Sequence, residues 1–157
     1  MTAVTVYSAG LVVPITAPPI VDGAVAVRDG RIMHVGEREW VLRSLSERGI
    51  AADEVHWPGV LTPGLVNAHT HLQYTGMASV GRGQYDGFDD WVRAFDPVYE
   101  GGRDWAADAA DGAMQALRSG TTAVADVVTD RAAATALHDA RLHGITYWEV
   151  MSWTNAD

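Results

Sequence analysis

One stretch constrains what this chain can fold into more than any other: Leu61-Thr62-Pro63-Gly64-Leu65-Val66-Asn67-Ala68-His69-Thr70-His71. It predicts a short apolar strand that follows a Pro-Gly turn and ends in two histidines. Side chains alternate faces along a strand, so His69 and His71 point the same way and Thr70 points away. Two imidazoles side by side at the end of a buried strand are placed to share one metal ion. A bare H-x-H is more often structural, so the flanking segments have to support the metal hypothesis.

The composition limits the kinds of site and partner that this chain can have. With 157 residues, 48% hydrophobic and 20% charged, it is long enough for a globular core. The net charge is −9 and every cation is an arginine, which disfavours contact with nucleic-acid phosphates. There is no cysteine, so a metal site has to use His, Asp or Glu. No apolar run approaches the roughly 20 residues that span a bilayer, and the first residues carry no basic leader, so we expect a cytoplasmic protein without membrane contact.

Residues 1–60 have the pattern of a small β-rich module with one helix. The strongest signal is a hairpin over 25–35, because Asp29-Gly30 is a favoured two-residue turn between β-branched runs. An apolar stripe predicts a helix over 38–48. Further strands are expected over 2–8, 11–13 and 54–57, with breaks at Gly10 and at Pro58-Gly59.

From residue 61 onward, the predicted strands and helices alternate. After the histidine strand, the predicted elements are a loop over 72–87, a helix over 88–95, a helix over 103–118, a strand over 121–127, a helix over 131–142 and a strand over 145–150. This order is typical of parallel βαβ units, whose functional residues gather at the carboxyl ends of the strands. The segment 61–157 is therefore predicted to be a second, α/β domain.

Two motifs resemble the amidohydrolase superfamily. The string P-G-L-V-N-A-H-T-H over 63–71 is similar to the first barrel strand of that superfamily, and in particular of its deaminase and chlorohydrolase branch. The run from Arg118 to Asp126 resembles the family's second barrel helix and strand. The resemblance implies the N-terminal part of a (β/α)₈ TIM barrel, preceded over 1–60 by a small β-sandwich-like module. A complete barrel takes roughly 250 residues, so we expect the barrel to be incomplete and the chain to be the front of a longer enzyme.

The resemblance also implies a reaction. His69 and His71 would be the first two ligands of a catalytic Zn²⁺ or Fe²⁺, which lowers the pKa of bound water to near 7. The resulting hydroxide would attack the amino-bearing carbon of a purine- or pyrimidine-like small molecule and release ammonia. The other metal ligands and the general acid–base residue are expected beyond Asp157, so this chain alone is expected to be inactive.

Two alternatives to deamination stay open at this point. Imidazolonepropionase-like relatives hydrolyse a cyclic amide, also by attack of a metal-bound hydroxide. That reaction releases an acid, whereas deamination releases ammonia. A chain with two metal ligands and an unclosed barrel is also compatible with an inactive fragment or an assembly module. A homodimer is the default expectation for the oligomeric state.

Four residues are candidates for substrate contact. Gln73 follows the histidine pair by two and resembles the glutamine that some family members use to bind a purine or pyrimidine edge, although a loop-stabilising role is equally weighted. Arg82 in the same loop offers a bidentate guanidinium. Trp148 and Glu149, near the end of the third strand, offer a stacking surface and an acid, with solvated surface roles in competition. The remaining residues of interest are interpreted as structural: Asp126, on the resemblance, and His34, His56, His138 and His143.

Overall fold

The computed structural model describes residues 3–150 and divides the chain into two compact units. The N-terminal unit is Met1–Pro63 and the C-terminal unit is Gly64–Asp157. The boundary lies three residues beyond the one expected at 60/61, because Leu61 belongs to the last strand of the first unit.

The N-terminal unit is a four-stranded sheet with one helix. Its elements are β1 Val4–Val12, β2 Ile20–Arg28, β3 Arg31–Glu37, α1 Arg38–Glu47 and β4 Ala52–Leu61. The strand order is β3-β2-β1-β4, with β1–β2 and β2–β3 antiparallel and β1–β4 parallel. Helix α1 buries Val41 and Leu45 against alternate residues of the two central strands, namely Val4, Val6, Ala24 and Ala26. One face of the sheet is therefore the core of this unit.

The predicted hairpin and helix of the N-terminal unit are confirmed, and the predicted strand breaks are wrong. Asp29 and Gly30 both have positive φ, 52° and 71°, as a type I′ turn requires. Strand β1 runs through Gly10, because it is paired on both sides along its length. Strand β4 likewise runs through Pro58-Gly59, since the register of β1 with β4 shifts between Ala9 and Leu11 and so accommodates an irregularity there.

The C-terminal unit is a parallel sheet whose strands are connected through helices. Its strands are β5 Leu65–Thr70, β6 Thr121–Val128 and β7 His143–Trp148, in the order β5-β6-β7 with both pairings parallel. Its helical segments are a 3₁₀ helix Leu72–Met77, α2 Ala78–Gly81, α3 Phe88–Glu100, α4 Trp105–Arg118, a 3₁₀ helix Arg131–Ala133 and α5 Ala136–Asp139. The predicted parallel α/β order is confirmed. It places the carboxyl ends of all three strands at one edge of the sheet.

Two predicted elements of the C-terminal unit and the predicted end of one helix are wrong. Most of the predicted loop over 72–87 is helical, because Leu72, Met77 and Val80 are buried there. Helix α3 continues past Pro97 to Glu100, and the rings of Phe95 and Tyr99, before and after the proline in sequence, stack on each other.

The third error is the helix predicted over 131–142, which is two short pieces. The Asp130 carboxylate accepts a hydrogen bond from the Ala132 backbone N–H, and the Thr135 hydroxyl donates one to Asp139. These local bonds compete with a continuous helix. Strand β7 begins at His143, two residues before the predicted start at 145.

Helix α4 and the short helices cover one face of the parallel sheet. Ala109 and Ala113 of α4 pack with Leu72 after β5 and with Val124 and Val128 of β6. Within residues 3–150, no helix is long and apolar enough to cross a membrane.

Candidate metal centre

His69 and His71 lie together where β5 ends. Their ring centroids are 5.2 Å apart and the ring planes are inclined by 75°. The Asn67 side chain accepts a hydrogen bond from the backbone N–H of His69 at 3.2 Å, which fixes the chain just before the pair. The alternation predicted from H-x-H thus brings both imidazoles to one place.

The pair has the spacing that one metal ion requires. Two imidazoles that share a tetrahedral ion, with N–metal distances of about 2 Å, have centroids about 5 Å apart. The Nδ1 atom of His71 is buried without a hydrogen-bond partner. The donor set therefore fits a divalent metal that accepts imidazole nitrogen.

The pair does not complete a site by itself. Among residues 3–150, no three His, Cys, Asp or Glu side chains come together in an arrangement that could hold a metal ion. Catalytic zinc usually has three protein ligands, so a site that uses this pair needs at least one more.

An aromatic cluster holds the ring of His71. Tyr74 stacks on it with 4.7 Å between ring centroids and 15° between planes. Tyr74 in turn contacts the rings of Phe95, Tyr99 and Trp105. Burial raises the pKa of the Tyr74 hydroxyl, and the charges of Tyr99 and Glu149 act in the same direction, against a hydrogen bond with Thr129.

Strand β6 and the residue after it anchor the turn that follows His71. Asp126 accepts a hydrogen bond from the Leu72 backbone N–H at 2.9 Å. Farther along, Gln73 donates to the Thr129 hydroxyl at 2.5 Å and accepts from the Thr129 backbone N–H at 3.0 Å. Tyr99 also donates to the Thr129 hydroxyl, at 2.9 Å. These bonds fix the backbone immediately beyond the second histidine.

Asp126 is the one buried acid of this region. Its side chain is 0% exposed, and burial raises the pKa of its carboxyl group. The hydrogen bond from the Leu72 backbone N–H and the charge of His71 both lower the pKa of Asp126. Both therefore favour the ionised carboxylate. The bond to Leu72 gives Asp126 a structural contact of the kind the sequence indicated.

The four residues predicted to contact substrate lie in different environments. Gln73 is 0% exposed, and both ends of its amide are bonded to Thr129, so a substrate contact would require it to exchange one of those bonds. Arg82 is exposed, and its Nε donates to the Ala78 carbonyl. Trp148 is 54% exposed at the end of β7, and the adjacent Glu149 donates its backbone N–H to Val128. Their roles in substrate binding stay predictions.

Sequence reasoning missed Thr129, Tyr99 and the stacking role of Tyr74. Thr129 lies one residue beyond β6, but a single threonine in a polar segment has no distinguishing pattern. Phe95 and Tyr99 have the i and i+4 spacing of one helix face, but the helix was predicted to end at residue 95, before Tyr99. The spacing did not indicate which loop residue those rings contact.

Comparisons with known proteins agree with this geometry. The model of the amidohydrolase family matches residues 60–154. A 5-methylthioadenosine/S-adenosylhomocysteine deaminase from Nitratidesulfovibrio vulgaris is 35% identical over 113 residues, which are 69% of this chain and 24% of that enzyme. An imidazolonepropionase from Shewanella amazonensis is 46% identical over 59 residues, which are 36% of this chain and 13% of that enzyme.

A solved structure adds a comparison in three dimensions. An adenosine deaminase from Xanthomonas campestris with bound zinc is 26% identical and superimposes with a TM-score of 0.60, covering 90% of this chain and 33% of that one. The chain spans about a quarter of the length of the deaminase relative and less of the imidazolonepropionase. The match over 60–154 includes the histidine pair, all three parallel strands and the helices between them, and on this basis the chain belongs to the amidohydrolase family.

Proposed function

We propose that this chain supplies the first metal ligands of a metal-dependent hydrolase acting on C–N bonds, and that the reaction is hydrolytic deamination of an amino-substituted heterocycle. The observation that carries the proposal is the imidazole pair at the end of β5, 5.2 Å between centroids, in a member of the amidohydrolase family. In its finer form the proposal makes β5, β6 and β7 the first three strands of a (β/α)₈ barrel. The N-terminal unit would then be part of a β-sandwich-like module.

His69 and His71 would hold Zn²⁺ or Fe²⁺ together with at least one further ligand. When bound, such a metal supplies a Lewis acid that lowers the pKa of water. The chain's own residues preorganise the ligands: Asn67 fixes the backbone of His69, and the Tyr74 ring limits rotation of the His71 ring. Ligands held in this way need little reorganisation when the metal binds.

The substrate would be a planar small molecule. The half-exposed indole of Trp148 offers a stacking face, and the Glu149 carboxylate accepts hydrogen bonds from an amino group. Arg82 and Gln73 are further candidates for polar contact with the substrate. Gln73 would have to give up one of its hydrogen bonds to Thr129 to make such a contact. Deamination replaces the C–NH₂ group by C=O with consumption of one water and release of one ammonia.

Hydrolysis of a cyclic amide is the second candidate. The match to imidazolonepropionase favours it, because identity there reaches 46%, although over a shorter segment than the match to the deaminase. The two reactions differ in product, since a lactam yields a carboxylic acid and retains its nitrogen.

The test measures metal content and product together. The protein, purified as its gene encodes it, is analysed for zinc and iron by mass spectrometry. It is then assayed for ammonia release from aminated purines and pyrimidines and for acid release from cyclic amides. We expect His69→Ala/His71→Ala to lose the bound metal and all turnover while the circular-dichroism spectrum stays unchanged.

A matched variant and a contrary outcome complete the design. His138→Ala removes an exposed histidine of α5 and should leave metal content and turnover unchanged. Full metal content and full turnover in the double variant would contradict the proposal. A wild-type protein that binds no metal and turns over no substrate of either class would favour an inactive or assembly role.

A further inference from the structure

We propose that Asp126 is a positioning residue for His71: its second carboxylate oxygen accepts a hydrogen bond from Nδ1–H of the imidazole, which fixes the tautomer that presents Nε2 to a metal. The part that concerns the metal rests on the proposed function. The proposed hydrogen bond and tautomer do not depend on a metal and can be tested in the metal-free chain.

Two complementary buried atoms without partners carry the inference. In the part of the chain that the structure describes, the buried side-chain atoms without a hydrogen bond are His34 Nε2, His71 Nδ1 and Asp126 Oδ2. A buried polar atom left unpaired costs about 1–3 kcal/mol, so such atoms are usually hydrogen-bonded to another protein group or to water. An imidazole N–H is a donor and a carboxylate oxygen is an acceptor, so the last two atoms can satisfy each other.

The fold brings the two side chains to the same place. In the register of β5 with β6, Asp126 pairs with Thr70, the residue before His71. The other oxygen of Asp126 accepts from the backbone N–H of Leu72, the residue after His71, at 2.9 Å. The carboxylate is therefore bonded to the backbone directly after His71, and the Asp126 backbone pairs with the residue directly before it. The two atoms are not bonded to each other in the structure, so the proposed bond requires the ring or the carboxylate to reorient.

Electrostatics support the same pairing. Burial raises the pKa of Asp126 and the charge of His71 lowers it, so the two groups lie near enough to interact. Tyr74 stacks on the His71 ring and restricts its orientation. A carboxylate that accepts from this ring favours the tautomer protonated on Nδ1, because only an N–H can donate to it.

This arrangement has a consequence for metal binding. A histidine that ligates a metal usually donates its other ring N–H to a carboxylate or carbonyl, which orients the ring and raises the basicity of the ligating nitrogen. Loss of such a partner weakens metal affinity about 10–100-fold. Asp126 would thus act on the metal only through His71.

The first experiment determines the tautomer of His71 in the metal-free chain. Ring nitrogens of ¹⁵N-histidine-labelled protein are observed by NMR at about pH 8, where an ordinary imidazole is neutral, and the His71 signals are assigned from their loss in His71→Ala. We expect the proton on Nδ1 in the wild type. Asp126→Asn keeps an oxygen for the Leu72 N–H but turns the other atom into a donor, so its His71 should shift to the Nε2–H form.

A second variant separates positioning from a structural role. Thr129→Val removes a hydroxyl that anchors the same turn but leaves Asp126 intact, so it should keep the Nδ1–H tautomer. A wild-type His71 protonated on Nε2 would overturn the inference, and this result needs no variant to fold. A tautomer that is unchanged in folded Asp126→Asn would overturn it as well.

The second experiment measures zinc affinity. Zn²⁺ is titrated into the wild type, Asp126→Asn and Asp111→Asn, the last removing an exposed carboxylate of α4 with the same change in charge. We expect about 10–100-fold weaker binding in Asp126→Asn and no change in Asp111→Asn. Equal affinities in all three would overturn the metal role of Asp126. A wild type with the expected tautomer but no zinc binding would instead contradict the proposed function and leave the hydrogen bond standing.

Discussion

Glu54 of β4 is the centre of a compact polar network in the N-terminal unit. Its carboxylate accepts two hydrogen bonds from Arg38, at 2.6 and 2.9 Å, and one from the buried Ser8 hydroxyl at 2.6 Å. The bonds from Arg38 and then from Ser8 lower the pKa of Glu54 from 4.5 to about 2. Bidentate pairing of this kind is stronger than an ordinary surface ion pair.

The lowered pKa predicts a pH dependence of stability. Glu54 is ionised more readily in the folded than in the unfolded chain, so its stabilisation is complete above pH 4.5 and is lost as the pH falls from there through about 2. Because the Arg38 and Glu54 side chains are 39% and 25% exposed, screening limits the effect to about 1 kcal/mol. We expect Glu54→Gln to lower the free energy of unfolding by that amount at pH 7.

Urea unfolding followed by tryptophan fluorescence between pH 7 and pH 3 measures this effect. The difference between wild type and Glu54→Gln should shrink below pH 4.5. Glu39→Gln serves as control, since the Glu39–Arg43 pair spans 3.5 Å and is largely solvent-exposed. A difference that stays constant over the whole range would rule out the assigned linkage.

At this scale, sequence could predict the histidine pair but not the residues that hold it. H-x-H on a strand determines that both rings share a face, because the alternation is local. Gln73 and Thr129 are 56 positions apart, and Leu72 and Asp126 are 54 apart, so their bonds depend on the register of two strands. Gln73 illustrates the difference: its spacing from His71 suggested a substrate contact, whereas packing buries it against Thr129.

At the scale of elements, the contact of α4 with the turn after His71 depends on one glycine. A Cβ placed on Gly112 would lie 2.7 Å from the Leu72 carbonyl oxygen and 3.2 Å from the Leu72 Cα, and would also meet the Thr75 hydroxyl. Two of these atoms are backbone and cannot move without shifting the turn. Gly112 therefore allows α4 to approach the backbone directly after His71.

We expect Gly112→Ala to destabilise the protein although alanine is the better helix former. Helix propensity favours alanine by about 1 kcal/mol. Overpacking against backbone costs about 1–3 kcal/mol, so the net expectation is a loss of about 1 kcal/mol. Faster amide hydrogen exchange at Leu72 should accompany the lower free energy of unfolding, because the shift weakens the bond to Asp126.

Gly81→Ala is the matched control for this prediction. A Cβ at Gly81, the last residue of α2, meets no atom within 4 Å, so the substitution should be neutral or slightly stabilising. A Gly112→Ala variant as stable as Gly81→Ala, with unchanged exchange at Leu72, would show that the turn tolerates the added methyl group.

Elements with a strong local signal were predictable, and those decided by tertiary packing were not. The Asp29-Gly30 hairpin and the alanine-rich α4 follow from turn geometry and helical periodicity alone. Pro97 predicted the end of a helix, yet α3 runs to Glu100 and Phe95 and Tyr99 stack across the predicted break. The glycines over 72–87 predicted a loop because the burial of Leu72, Met77 and Val80 is not visible in a local pattern.

At the scale of the whole molecule, both units expose apolar surface. In the N-terminal unit, a groove of about 470 Å³ is lined by Tyr7, Val25 and Val35 on the sheet face away from α1. In the C-terminal unit, β5 and β7 are the two edge strands of the sheet. The largest exposed hydrophobic side chains on these edges are Leu65, Val66, Ile145, Tyr147 and Trp148. Exposed apolar edges of this kind favour pairing with other strands.

The 157-residue chain by itself is therefore expected to self-associate through its open edges. Its net charge of −9 opposes association, so salt that screens this charge should increase it. Val66 is 71% exposed on β5, and a charged side chain there should block edge pairing without disturbing the buried face of the sheet.

Sedimentation velocity over a hundred-fold range of concentration should show a rising average sedimentation coefficient for the wild type and a smaller rise for Val66→Lys. Gln115→Lys, on the exposed side of α4, makes the same addition of positive charge away from the edge and should behave like the wild type. A wild-type chain that sediments as a monomer at every concentration and salt would contradict the expectation and would mean that these edges are protected in solution.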